Sequence, residues 1–239
     1  MRPTRTLFGL SMLFGVLLAT GAAPNGVVGA PAIHVRAGTS TNWAGYASPA
    51  PAGGFTSVSA TWTQPSVRCS AQNTYSAYWV GLDGNTTNTV EQLGTEADCS
   101  SGRPVYYSWY EMYPRAGHYA TVTVSPGHAY HASVVYQGAG NFALSLQDIS
   151  TKGATFTTVQ KLTNARRASA EAIVEAPYSG GVLPLANFAS ATFSGVTVNG
   201  TSMLSPPADR ITMVNSAGGV KATPSALRGG SFSVGWVSS

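Results

Sequence analysis

Apolar residues recur at every second position along much of this chain, and long stretches with the three-to-four spacing of a helix are absent. Val58, Ala60 and Trp62 alternate with Ser59, Thr61 and Thr63 until Pro65 ends the run, which predicts a strand over 58–64. The same reading predicts strands over 75–81, 90–97, 105–113, 119–124, 130–136, 142–149, 154–160, 170–175, 211–214, 220–222 and 232–237, with one long strand or two over 188–198. The segment STNWAGYAS sets Trp43 and Tyr46 in a strand-like context. Turn chemistry separates these runs, most clearly at Asp83-Gly84, at Ser125-Pro126-Gly127 and at 137–141, where a hairpin is expected. About fourteen short strands with no crossover helix and no internal repeat imply an antiparallel all-β domain. So many strands in one domain favour a sandwich of two large, curved, stacked sheets with a concave face.

The two ends of the pattern differ. Arg2 and Arg5 precede a short apolar run, Leu7 to Ala19, and small residues follow, which is the layout of a secretory signal cleaved between about Ala22 and Ala32. Residues 1–32 are therefore expected to be a signal peptide with a possible short pro-segment, and residues 33–239 a single domain. The expected product is secreted, with no later segment able to anchor it in a membrane. Cys69 and Cys99 are the only two cysteines, and an oxidising compartment makes a disulfide between them the expectation.

Charge changes the picture little. The formal net charge is +4, but removing Arg2 and Arg5 leaves eleven basic against nine acidic groups. No basic run extends beyond Arg166-Arg167, so nucleic acid is not an expected partner. So low a content of charge makes an acidic working environment plausible.

The acids are not spread evenly. Five of the nine, Asp83, Glu91, Glu96, Asp98 and Glu111, fall between Trp79 and Tyr113, together with Gln92, Tyr106, Tyr107, Trp109 and Tyr110. Other chemistries lack their residues: there is no Gly-x-Ser-x-Gly elbow, no His-Glu-x-x-His and no phosphate-cradling loop before a helix. His128 and His131 are three apart and fall on opposite faces of a strand, so neither a metal nor another cofactor is expected. Carboxylates, amides and aromatics remain. They suit a glycosidase with paired carboxylates, or an acid hydrolase joining one carboxylate to a different partner. In AEAIVE, Glu171, Ile173 and Glu175 share one strand face, where repulsion between the two acids can tune Glu175. In SWYEMY, Trp109, Glu111 and Tyr113 share a face likewise, which predicts a polar groove walled by aromatics.

Six motifs in order are similar to those of the glutamic peptidases, or eqolisins: NWAGY at 42–46, VSATWTQPSV at 58–67, AYWVGLDG at 77–84, VEQLGT at 90–95, SWYEMYP at 108–114 and AEAIVEAP at 170–177. The resemblance implies a concanavalin-like sandwich of two antiparallel sheets, about seven strands each. It implies an endopeptidase acting in acid on protein or peptide substrates, through a glutamine and a glutamate that fall on Gln92 and Glu175. Trp43, Trp79, Asp83, Glu96, Trp109, Glu111 and Glu171 carry over as substrate-binding neighbours. Glu96 stands where fungal members have aspartate, and Ala172 where they have tryptophan. A monomer is expected.

The chemistry has its own logic. An ionised Glu175 can take a proton from water and return it to the leaving amine. Gln92 cannot ionise, but its amide can donate to an oxyanion, a contact worth on the order of 3 kcal/mol. The competing reading is a carbohydrate-binding or carbohydrate-cleaving sandwich, using two of Glu91, Glu96, Glu111, Glu171 and Glu175 and having no need of Gln92. On a blander view Glu175 is a surface carboxylate paired with Arg166 or Arg167, and Trp79 and Trp109 are core residues.

Overall fold

The computed structural model describes residues 38–151, 153–203 and 207–239; the expected signal peptide and pro-segment lie outside the described residues. Sixteen strands follow one another: β1 (Thr39–Ser40), β2 (Trp43–Pro49), β3 (Ser57–Thr63), β4 (Ala77–Leu82), β5 (Val90–Ser100), β6 (Arg103–Tyr113), β7 (His118–Tyr119), β8 (Ala129–Gly138), β9 (Asn141–Asp148), β10 (Thr155–Lys161), β11 (Ser169–Glu175), β12 (Ser190–Val198), β13 (Thr201–Ser202), β14 (Asp209–Val214), β15 (Val220–Pro224) and β16 (Phe232–Trp236). No helix occurs among the described residues.

Fourteen strands form a continuous path, β10-β9-β8-β3-β12-β16-β15-β14-β2-β11-β4-β5-β6-β7, with β1 beside β14 and β13 beside β12. The path turns at β14, which pairs with β15 in one layer and with β2 in the other. Every pairing along the path is antiparallel; the side pairing of β1 with β14 is parallel. Seven strands lie on each side of the turn if β14 is counted with β2, as expected of the sandwich. The layers meet where β4 and β5 pack on β3, β8 and β9. Between them lies the main core, including Trp62, Tyr78, Leu93, Tyr130, Leu144 and Phe193. Ala172 belongs to this core, so the position where fungal members carry tryptophan faces the interlayer space, away from the acids of the opposite face.

Two stretches differ from expectation. The strand expected over 119–124 shrinks to His118–Tyr119. Beyond it the ladder is interrupted because the Ser108 hydroxyl donates to the carbonyl of Val122, and Val122 and Val124 turn into the main core. Conversely, β5 and β6 run longer than expected, because Ser101 and Gly102 close them into a two-residue hairpin with positive φ at both positions. The Cys69–Cys99 disulfide forms and ties the chain before β4 to the far end of β5.

The sequence holds two Asn-x-Thr glycosylation sequons, at Asn85 and Asn199. Asn85 is buried, and the exposed-segment Asn199 uses its side chain to accept from Thr56 and Ser57 and to donate to the carbonyl of Gly54.

Close approach of β4 and β5 depends on Gly94. A Cβ there would lie 2.1 Å from the Tyr78 carbonyl oxygen and 2.7 Å from Trp79 Cβ. Gly94→Ala is expected to destabilise the fold by about 3 kcal/mol or more in urea unfolding. Replacing Cys69 and Cys99 by serine is expected to cost roughly 2–4 kcal/mol in the same measurement, since the bridge closes a loop of 30 residues.

Candidate active site

In the second layer β2, β11, β4, β5 and β6 lie side by side, and their registers define rows across the sheet. One row reads Ala47, Glu171, Gly81, Gln92, Glu111. Two residues along, the next reads Gly45, Ile173, Trp79, Gly94, Trp109; the third reads Trp43, Glu175, Ala77, Glu96, Tyr107. The period of two puts all three rows on one face, opposite the side chains that fill the main core. The apolar members form a second cluster of their own, in which Trp43 meets Trp79 edge to face at 4.9 Å. Small residues stand beside large ones in each row, which gives the indoles room to lie across the sheet.

Glu175 sits among these indoles. Its Oε2 accepts from Trp79 Nε1 at 2.8 Å, and its Oε1 accepts from Asn42 Nδ2 at 3.1 Å. Burial pushes its carboxyl up to about 8, and the charge of Glu111 adds to the rise; the indoles of Trp43 and Trp79 and the Asn42 amide oppose it. The surface-carboxylate view of Glu175 does not hold, because only 2% of the residue is exposed. The Arg167 guanidinium is engaged elsewhere, donating to the Phe55 carbonyl and lying over the Tyr136 ring. Trp79 is packed within the second cluster and also donates its indole N–H to Glu175.

Gln92 donates from Nε2 to Glu111 Oε2 at 2.6 Å. On the ladder Gln92 faces Gly81 while Glu175 faces Ala77, four residues further along β4. That is about 13 Å along the strand. Glu111 is the link between them, bonded to Gln92 and the charge that most affects Glu175.

The remaining acids fall into two groups. Glu96 and Asp98 lie side by side on β5. Burial, then the charges of Asp98 and Glu175, raises Glu96 well above its ordinary value. Burial raises Asp98 to about 7, against hydrogen bonds from Tyr107, Glu96 and the Ser76 backbone. Near the other end, Asp83 accepts from the backbone N–H groups of Arg166, Arg167 and Ala168 and from the Thr89 hydroxyl, and so clamps the loop leading into β11. Glu91 and Glu171 lie close to Asp83. Burial and the Asp83 charge push Glu91 up to about 9. Burial likewise raises Glu171, with Ser169 opposing it and the Asp83 charge adding to it. Glu171 therefore groups with Asp83 and Glu91, and the charge that acts on Glu175 is that of Glu111, since four residues of strand separate Glu171 from Glu175.

Asn42 was not singled out from the sequence. It opens the NWAGY motif at 42–46, but nothing in that motif connects it with Glu175, 133 residues away. The histidines lie apart from this face: His128 pairs with Asp148, and His131 bonds to Thr61.

The model of the Peptidase A4 family matches residues 41–236. The chain is similar to aspergillopepsin-2 of Aspergillus niger, 26% identical over 223 residues that cover 83% of this chain and 78% of the relative. In structure it is similar to scytalido-glutamic peptidase bound to a transition-state analogue inhibitor, with a TM-score of 0.71 and 24% identity over 82% of this chain and 98% of that one. It is also similar to aspergilloglutamic peptidase from Aspergillus niger, with a TM-score of 0.56 and 25% identity over 69% of this chain and 99% of that one.

The raised carboxyls make stability depend on pH in a definite direction. A carboxyl whose folded value exceeds its unfolded value stabilises the fold fully below the unfolded value, about 4, and that contribution is lost as pH rises through the folded value. Asp98, Glu175 and Glu91, with folded values of about 7, 8 and 9, place the loss between about pH 4 and pH 9. Asp148 opposes this at low pH: against the pull of burial, hydrogen bonds from His128, Ser150 and Thr151 lower its value. Thermal unfolding is expected to give the highest Tm near pH 4 and a value lower by ~10 °C or more at pH 9.

Proposed function

The chain belongs to the Peptidase A4 family and is an endopeptidase, and from that premise we propose that it cleaves peptide bonds in acid with Glu175 as general base and Gln92 as oxyanion donor. The observation that supports this reading best is the setting of Glu175, a buried carboxylate whose two oxygens each accept from a neutral N–H group.

Glu175 takes a proton from a water molecule as the water oxygen attacks the scissile carbonyl carbon. The carbonyl oxygen becomes an oxyanion. Gln92 Nε2 has two hydrogens; one goes to Glu111, and the other is left to donate to that oxyanion. The C–N bond then breaks, and Glu175 gives its proton to the leaving nitrogen, so a carboxylic acid and an amine form and the residue is restored. A base that is needed ionised stands here in a site that raises it to about 8. The Glu111 part of that rise disappears wherever Glu111 is protonated, which leaves burial opposed by the indole and amide donors. Trp43, Trp79 and Trp109 offer apolar walls to an extended peptide, with Glu96 and Glu171 toward its ends. Apart from Glu175, which must ionise, the buried carboxyls favour retaining their protons, so the fold itself tolerates acid. The enzyme is secreted and monomeric in this reading.

A casein or peptide digest near pH 3–4, about the ordinary glutamate value, tests it. Glu175→Gln and Gln92→Ala are each expected to lower kcat by roughly 10²-fold or more. Full activity in either variant sinks the pair. Activity that survives Gln92→Ala but needs two of the carboxyls, on a glycan rather than a peptide, returns the carbohydrate reading.

A further inference from the structure

Asn42 reaches Glu175 at the end of a short relay. Ser40 Oγ accepts from the backbone N–H of Asn42 at 3.3 Å and from that of Trp43 at 3.1 Å. Those two donors occupy both hydroxyl lone pairs, so the Ser40 hydroxyl hydrogen is left to donate, and it does so to Asn42 Oδ1 at 3.3 Å. The Asn42 amide is thereby oriented: its oxygen must face Ser40, and its Nδ2 faces Glu175 Oε1 at 3.1 Å. Ser40 and Asn42 are both buried. The relay is fixed at its ends by backbone pairing, Ser40 beside Met213 of β14 and Ala176 N–H on the Asn42 carbonyl.

We propose that Asn42, oriented by Ser40, is a positioning residue for Glu175: its amide holds one carboxylate oxygen in place and favours the ionised form. The proposal rests on the general-base role of Glu175. The other groups facing this carboxyl differ in kind. Glu111 from β6 and Glu96 from β5 are like charges, Trp79 from β4 is a neutral donor, and the Trp43 indole from β2 packs edge to face on Trp79. Asn42 is thus one of few groups that pull the Glu175 carboxyl down against the rise that burial and Glu111 impose. The Ser40 hydroxyl prevents the amide from turning over; reversed, its oxygen would face the carboxylate and accept from the protonated acid, which favours the wrong form.

The test follows the Glu175 carboxyl by carbon-13 NMR, assigned with Glu175→Gln, over the pH range in which the protein stays folded. The acid limb of the kcat/KM profile is measured alongside. Asn42→Ala is expected to raise the Glu175 midpoint by about one unit or more, the effect of losing one hydrogen bond to a charged group. The acid limb moves the same way, so kcat/KM at pH 3 falls by about tenfold per unit. Ser40→Ala is expected to give a smaller rise, and Ser40→Thr, which keeps the hydroxyl, to restore the wild-type value. An asparagine with only a structural role would reduce the folded fraction and leave the midpoint where it is. Midpoints unchanged in both Asn42→Ala and Ser40→Ala overturn the proposal. If Asn42→Ala does not fold, the Ser40→Ala and Ser40→Thr pair decides. The carboxyl titration needs no activity, so a relay that shifts it in a protein without peptidase activity would refute the proposed function while leaving the positioning intact.

Discussion

Seven of the nine carboxyl groups in the chain are buried on or beside one sheet, and the rest of the structure depends on how they are kept there. Burying a charge without a partner is costly. The solutions used here are neutral ones: indole N–H for Glu175, a phenol for Asp98, a side-chain amide at Glu111, backbone N–H groups for Asp83. Burial nonetheless raises these carboxyls, Glu175 and Asp98 with their donors as well as Glu91, Glu96 and Glu171. The ion pair of His128 with Asp148 lies on the other layer, away from this face. A sheet that solvates its acids with dipoles instead of cations holds them ready to exchange protons, at the expense of tolerating alkali.

The same preference explains the aromatic content of the face. Trp43 and Trp79 supply apolar walls and N–H donors in one side chain, which no aliphatic residue does. The bulk of Trp79 is accommodated by Gly94 opposite it on β5, and that of Trp43 by Gly84, where a Cβ would lie 2.8 Å from the indole. Gly94 shows how strict this is, since its missing side chain is where β4 and Trp79 come closest. Packing and acidity are thus one problem here, solved by the same residues.

Strand existence was legible because alternation is explicit in runs such as Val58 to Thr63. So was the facing of Glu171 and Glu175, which follows from parity alone. What the sequence did not disclose is pairing across strands. That Glu111 stands opposite Gln92 comes from the register of β5 on β6, set by the hairpin turn at Ser101-Gly102, well away from both residues. The grouping of Glu171 with Glu91 and Asp83 likewise needs the β11-β4-β5 order. The extent of burial was also hidden, because a strand with polar residues at alternate positions reads as one exposed face, whereas β5 and β11 are buried on both. Asn42 was invisible for a related reason: 133 residues separate it from Glu175.

One strand, β14, is a member of both layers, bonded to β15 on one side and β2 on the other. Neither layer therefore has a free edge at that corner, and separating them would break backbone ladders as well as side-chain packing. The layers are coupled as a folded sheet is coupled across its crease. Opening of the acid-bearing face should accompany loss of the whole β-structure in a single cooperative event, with slow amide exchange extending through the crease instead of stopping at it.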